Sequence, residues 1–241
     1  MAGHSKWATI KRKKAALDAK KGKAFTSLIR EITVAARLGG GDPAANPKLR
    51  LLLDKAKEIN MPTENAQRAI KRGTGELPGQ HYEEHLYEGY GPHGIAVIVD
   101  TLTDNKNRTV ADLRRMFSSS GGSLGENGSV SWMFQKLGVV TATGNDASDD
   151  DLLELLIDFD IRDIDRDEET ISITCEPKSL DQVRQTLKNA GFAVDSAELE
   201  WVPSNTTPLT EEQLEKASDF LSELEDLDDV KHVYTNFTLQ G

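Results

Sequence analysis

The feature that most constrains this 241-residue chain is a break in charge and pattern near residue 75. Residues 1–75 carry 17 Lys/Arg against 6 Asp/Glu, a local net of +11. Residues 76–241 carry 12 Lys/Arg against 34 Asp/Glu, a net of −22, so the whole is acidic at −11. The basic end shows helical periodicity only, whereas the acidic part mixes strand and helix patterns. A basic end on an acidic body reads as a segment that meets a polyanion while the rest stays away from it.

The length exceeds what one small domain needs, so two or three domains are expected. No apolar run approaches the ~18 residues of a membrane span. The first residues, Met1 to Trp7, hold no apolar core of a secretory signal. Cys175 is the single cysteine. With no internal disulfide possible, a reducing cytoplasm is the expected compartment.

From Lys6 to Lys23 the chain is strongly basic, with Asp18 the only acid and too little apolar surface for a packed helix. This arm is expected to order only on binding. Phe25, Leu28, Ile29, Ile32 and Ala36 then recur at helical spacing up to the stop at Gly39-Gly40-Gly41. Asn46-Pro47 opens a second helix as cap and first-turn proline. A third follows Met61-Pro62 and ends at Gly73. The three predict a small bundle, residues 1–77 with the arm, whose polar faces carry Arg37, Lys48, Arg50, Lys55, Lys57, Arg68, Lys71 and Arg72. The candidate nucleic-acid residues are His4, Lys6, Trp7, Lys11, Arg12, Lys13, Lys14, Lys20, Lys21, Lys23, Lys48, Arg50, Arg68, Lys71 and Arg72. The cations meet phosphates, and Trp7 and His4 can stack on bases. The loop from Gly39 to Asn46 is longer than the turn of a helix-turn-helix, so base-specific DNA reading is not supported by pattern.

The body predicts an α+β class with two ferredoxin-like units, one inserted in the other. From Val139 the order is strand, helix, strand, strand, helix, strand, which sets an inserted unit at 135–203. Residues 78–134 and 204–241 form the discontinuous partner. Its first part holds a strand at Gly94–Thr103 and a helix at Val110–Ser119. Its last part holds a helix opened by a capping box, Thr210 with Gln213, and a closing strand at Val230–Leu239.

Several motifs fail on context. Gly89-Tyr90-Gly91-Pro92-His93-Gly94 matches GxGxxG, but a strand follows where the dinucleotide fingerprint needs a helix. His81 to His85 matches HxxEH, yet a strand pattern begins at once and zinc needs a helix there. Asp158 to Glu169 resembles a calcium loop, with Arg162 and Asp163 in the wrong places. Cys175 reads as a buried apolar residue. No metal, cofactor, small-molecule substrate or catalytic residue is expected, so the chain is read as a non-enzyme. A polar cluster between strand and helix offers a second contact surface, Asn105, Asn107, Arg108, Arg114 and Arg115, with helix capping by Asn107 or Thr109 as the plain alternative.

Gly3-His4-Ser5-Lys6-Trp7, Asn46-Pro47-Lys48-Leu49-Arg50, Asn60-Met61-Pro62, Arg68 to Gly73, Tyr87 to Pro92, Leu102 to Thr109 and Gly121-Gly122-Ser123-Leu124-Gly125 together resemble the YebC family. That family includes the mitochondrial translational activator of cytochrome oxidase. The resemblance spans essentially the full length, is most specific over residues 1–134, and implies a three-domain α/β fold. Its members are labelled transcriptional regulators that bind DNA, or are regarded as translation factors acting on ribosomes stalled at proline-rich stretches. The resemblance carries over no catalytic residue. The expected function is a translation factor contacting ribosomal RNA, with a DNA-binding transcription regulator as the alternative; the ribosome is the expected partner, and no membrane is.

Overall fold

The computed structural model describes residues 19–144, 147–167 and 170–240, with the backbone alone at 19–22 and 167. The chain opens with helices α1 (Ala19–Gly39), α2 (Pro47–Glu58) and α3 (Thr63–Gly73). Helix α1 starts six residues before Phe25, so the expectation of an arm unstructured through Lys23 is corrected at its last five positions. Alanine and lysine are good helix formers, and the Lys23 Nζ donates to the Leu227 carbonyl at 2.8 Å. That tether is a long-range contact, invisible to local pattern.

The bundle core is Leu28, Ile32, Ala35 and Ala36 of α1 with Leu49, Leu52 and Ala56 of α2 and Ala66 and Ala69 of α3. Asn46 acts as expected, its side-chain oxygen accepting from the Leu49 N–H at 3.1 Å. Its amide also donates to the carbonyls of Ala35 and Gly40, both at 2.9 Å, so one buried side chain joins the end of α1 to the start of α2. Helix α3 lies so close to α1 that a Cβ on Gly73 would sit 2.3 Å from the Thr33 carbonyl oxygen.

The body holds β1 (Glu83–Tyr90), β2 (Ala96–Thr103), α4 (Lys106–Ser119), β3 (Ser123–Leu124), β4 (Phe134–Thr143), α5 (Asp149–Leu155), β5 (Ile161–Asp167), β6 (Thr170–Cys175), α6 (Leu180–Asn189) and β7 (Ala193–Pro203). It ends in β8 (Thr207–Leu209), α7 (Glu211–Asp226), β9 (Val230–Thr235) and β10 (Phe237–Leu239). The expected capping box opens α7, with Thr210 and Gln213 exchanging bonds of 3.0 and 3.3 Å.

Two four-stranded sheets result. The first has the order β3-β1-β2-β9 and is antiparallel throughout. On one face α4 and α7 cover Ile95, Val97 and Val99, with Phe117 and Phe220 in edge-to-face contact at 5.1 Å. On the other, Ala96 and Ile98 meet Val130, Phe134 and Tyr234. Strand β2 is buried on both sides, which accounts for its nearly unbroken apolar run. The second sheet, β5-β6-β4-β7, is the ferredoxin-like order in a fully antiparallel sheet. Helices α5 and α6 cover Val140, Ile171, Ile173 and Cys175. The flanking unit has the same layers with its own connections: a tight turn at Gly91–Gly94 makes β1 and β2 a central hairpin, and α4 and α7 then lead to the edge strands β3 and β9.

Candidate nucleic-acid interface

Lys23, Arg30 and Arg37 recur every seven residues on α1, which puts them on one stripe of the helix. That stripe faces the body rather than solvent. Arg30 donates to the Asp228 carbonyl at 2.8 Å and to the Asp229 carboxylate at 3.2 Å, and its guanidinium lies 5.3 Å over the Tyr82 ring. Arg37 donates to the Tyr82 carbonyl at 2.7 Å. Next to them Lys231 of β9 pairs with Glu31 of α1 at 3.2 Å, both nearly buried. Burial works against the Lys231 charge, and Glu31, Asp100 and Glu84 outweigh it. Helix α2 adds Lys55 to Glu198 of β7. Burial opposes the Glu198 charge too, but Lys55 and His232 hold its carboxyl below its ordinary value. Much of the bundle's positive charge therefore docks it on the acidic body.

Asp229 is the hub of this docking. It is buried and accepts from Arg108 at 2.8 Å, Thr109 at 2.8 Å and Thr103 at 3.0 Å as well as from Arg30. Burial raises its carboxyl, and the bonds from Arg108, Thr109 and Thr103 more than reverse that. Arg108 also pairs with Asp104 at 2.9 Å. Arg108, named from sequence with Arg114 and Arg115 for a second contact surface, thus has its charge matched inside the chain. Asn105 caps α4, accepting from the Arg108 N–H at 3.1 Å, and Arg115 leans on Asp112 at 3.5 Å. Asn107 and Arg114 are exposed.

Of the bundle candidates, Arg50, Lys71 and Arg72 are exposed and make no ion pair among the described residues. Lys48 reaches Glu84 at 3.2 Å and Arg68 reaches Glu64 at 3.9 Å, both at the surface where such pairs are weak. His4, Lys6, Trp7, Lys11, Arg12, Lys13 and Lys14 lie outside the described residues, as do the side chains of Lys20 and Lys21. One exposed aromatic was missed by pattern: Trp132 is 67% exposed and held by its ring N–H on the Ser129 carbonyl at 3.1 Å.

The tempting motifs take plain roles. His85 lies on strand β1, and His81 and His85 both approach Glu83, at 3.7 and 3.2 Å. No group of three or more His, Cys, Asp or Glu side chains among the described residues could hold a metal. Asp158 to Asp167 fall in and before the β5 strand, and Glu168 and Glu169 lie outside the described residues. Burial, helped by Glu176, pushes the Cys175 thiol up to about 11, which leaves it unreactive. No described helix is long and apolar enough to cross a membrane.

Residues 5–76 match the family description "TACO1/YebC protein N-terminal domain", and residues 82–237 match "TACO1/YebC second and third domain". The chain belongs to the TACO1/YebC family. Among its relatives, a "probable transcriptional regulatory protein" of Chlorobaculum tepidum is 51% identical over 240 residues, 99% of this chain and 96% of that one. One of the same description from Chloroherpeton thalassium is 52% identical over 240 residues, with the same coverage. The crystal structure of a conserved hypothetical protein from Aquifex aeolicus matches with a TM-score of 0.85 at 43% identity, covering 95% of this chain and 94% of that one. The family's mixed architecture of N-terminal helices and antiparallel sheets is the one found here.

Proposed function

We propose that this protein is a non-enzymatic, nucleic-acid-binding regulator of gene expression, working in the cytoplasm as a translation factor that holds ribosomal RNA and relieves stalling at proline-rich stretches. Residues 1–77 act as the binding domain. The inserted unit 135–203 and the discontinuous unit 78–134 with 204–241 set its approach. The observation that carries this reading is the division among the basic residues. Lys23, Arg30 and Arg37 are committed to docking, while Arg50, Lys71 and Arg72 stay exposed and unpaired among the described residues, on the domain that continues the basic run of residues 6–21. Unspent cations of this kind serve backbone contact without base reading. The acidic remainder repels a polyanion elsewhere and can meet basic ribosomal proteins.

The names of the relatives favour a second reading, a DNA-binding transcription regulator. Ribosome sedimentation beside crosslinking to RNA and DNA in cells separates the two. Co-sedimentation with crosslinks to ribosomal RNA is expected; one discrete promoter set and no ribosomal RNA would choose transcription. Removing residues 1–18 should abolish most binding, and unchanged affinity would sink both readings.

A further inference from the structure

Strand β1 is an edge strand over most of its length. Its pairing with β3 covers Gly89 and Tyr90 only, while β2 runs along its inner side from Glu83 to Tyr90. The Glu88 carbonyl accepts from the Gly125 N–H at 2.7 Å, which sets the outward direction. In an antiparallel ladder alternate residues turn their N–H and C=O to the same side. Glu84 and Leu86 therefore present their backbone outward, in line with β3, with no strand against them among the described residues.

A cavity of about 630 Å³ runs along this edge, with Lys106, Val110 and Arg114 of α4 on one wall and the Gly125–Ser131 loop on the other. The charges around it are not balanced among the described residues. The Glu88 carboxylate is spent on the N–H groups of Gly128, Val130 and Ser131 at 2.8, 2.9 and 2.7 Å. Lys48 takes Glu84 at 3.2 Å. Lys106 and Arg114 have no ion-pair partner among the described residues, and Leu86, which lines the same cavity, is 41% exposed. The cavity also borders Tyr87, whose buried hydroxyl makes no hydrogen bond among the described residues.

We propose that this groove takes an extended acidic segment of a partner protein, added to the first sheet as a strand beside β1. Open edge amides supply the main-chain ladder of such an interaction, and wall pockets read alternate side chains. The spacing fits. The eight helical steps from Lys106 to Arg114 rise about 12 Å, and four steps along a strand advance about 13 Å. A segment reading acidic, any, apolar, any, acidic puts its carboxylates on Lys106 and Arg114 and its apolar side chain on Val110. Nothing in this depends on the bundle's nucleic-acid reading, although Arg114, offered from sequence for a second contact surface, is here assigned to the peptide instead.

The test uses the full chain and a fluorescein-labelled peptide, Thr-Asp-Thr-Val-Thr-Asp-Thr. Anisotropy should show binding that weakens at least tenfold for the double variant Lys106→Glu, Arg114→Glu, whose exposed positions leave the unfolding midpoint in place. Binding should weaken similarly for Leu86→Pro, which removes an outward N–H and leaves the β2 ladder intact. At saturation the Leu86 amide should exchange more slowly with solvent. Equal binding by the same peptide with lysine for aspartate, or a Leu86 amide left unprotected, would overturn the proposal. So would an oligouridylate that protects Leu86 where the acidic peptide does not.

Discussion

Replacing Asp100 with asparagine should stabilise the protein above neutral pH and do little in acid. Asp100 lies on β2 where the bundle and both sheets meet. Burial raises its carboxyl from the ordinary 3.8 to about 6; Lys231 and Lys136 pull it down, and Glu84 and Glu31 push it up. A carboxyl raised by folding takes up a proton on folding. The folded state is therefore unpenalised below pH 4 and increasingly penalised as pH rises through 6. Roughly two pH units at 1.36 kcal/mol each amount to about 3 kcal/mol once the group is ionised. The Asp100→Asn variant removes the charge and should gain about 2–3 kcal/mol at pH 8, or roughly 5–10 °C in Tm for a chain of this size. At pH 4 the gain should fall below about 0.5 kcal/mol. Urea unfolding of both proteins at pH 4, 6 and 8 measures this, with equal m-values as the condition for comparing midpoints. A variant no more stable at pH 8, or one with the same gain at pH 4 and 8, would refute the claim that an ionised Asp100 strains this junction.

Asp229→Ala should cost about 3–5 kcal/mol in urea unfolding near neutral pH, because Arg30 and two threonine hydroxyls lose their shared acceptor in a buried site. Its carboxyl is held low in the fold, so the contribution present above its ordinary value is lost as pH falls through the folded one. Arg30→Ala should lower stability yet leave the salt dependence of nucleic-acid affinity unchanged; Arg72→Ala should leave stability within about 0.5 kcal/mol and reduce the log–log slope by about one, read by titrations at several salt concentrations. Gly73→Ala should destabilise by about 1–3 kcal/mol in the same unfolding assay, since its methyl group would meet the Thr33 carbonyl.

Where local chemistry decides the structure, the sequence was readable. Asn46-Pro47 and Thr210 with Gln213 mark helix starts because the cap bonds span three residues. The period-two and helical runs of 139–202 gave the order of the inserted unit, and its sheet pairs accordingly. The candidate site was harder. Arg72 and Arg108 look alike in a string of letters and both are exposed, yet one makes no ion pair among the described residues and the other meets a carboxylate 121 residues away. Only tertiary contact separates a cation that docks a domain from one left for a ligand. The seven-residue spacing of Lys23, Arg30 and Arg37 was the available signal, and the acidic run from Asp226 to Asp229 was its counterpart.

The Arg30–Asp229 contact spans 199 positions, and the Lys23–Leu227 contact spans 204. Synthesis from the N-terminus therefore gives these contacts a timetable. The bundle and the inserted unit are each complete while the chain is still being made, and domains fold as units as they emerge. The first sheet cannot close until β9 arrives, and only then does Arg30 settle on Asp228 and Asp229, although Arg37 can reach the Tyr82 carbonyl earlier. Until that moment Arg30 lacks its carboxylate, and the arrival of the segment from Leu227 to Asp229 turns a basic stripe into a clasp.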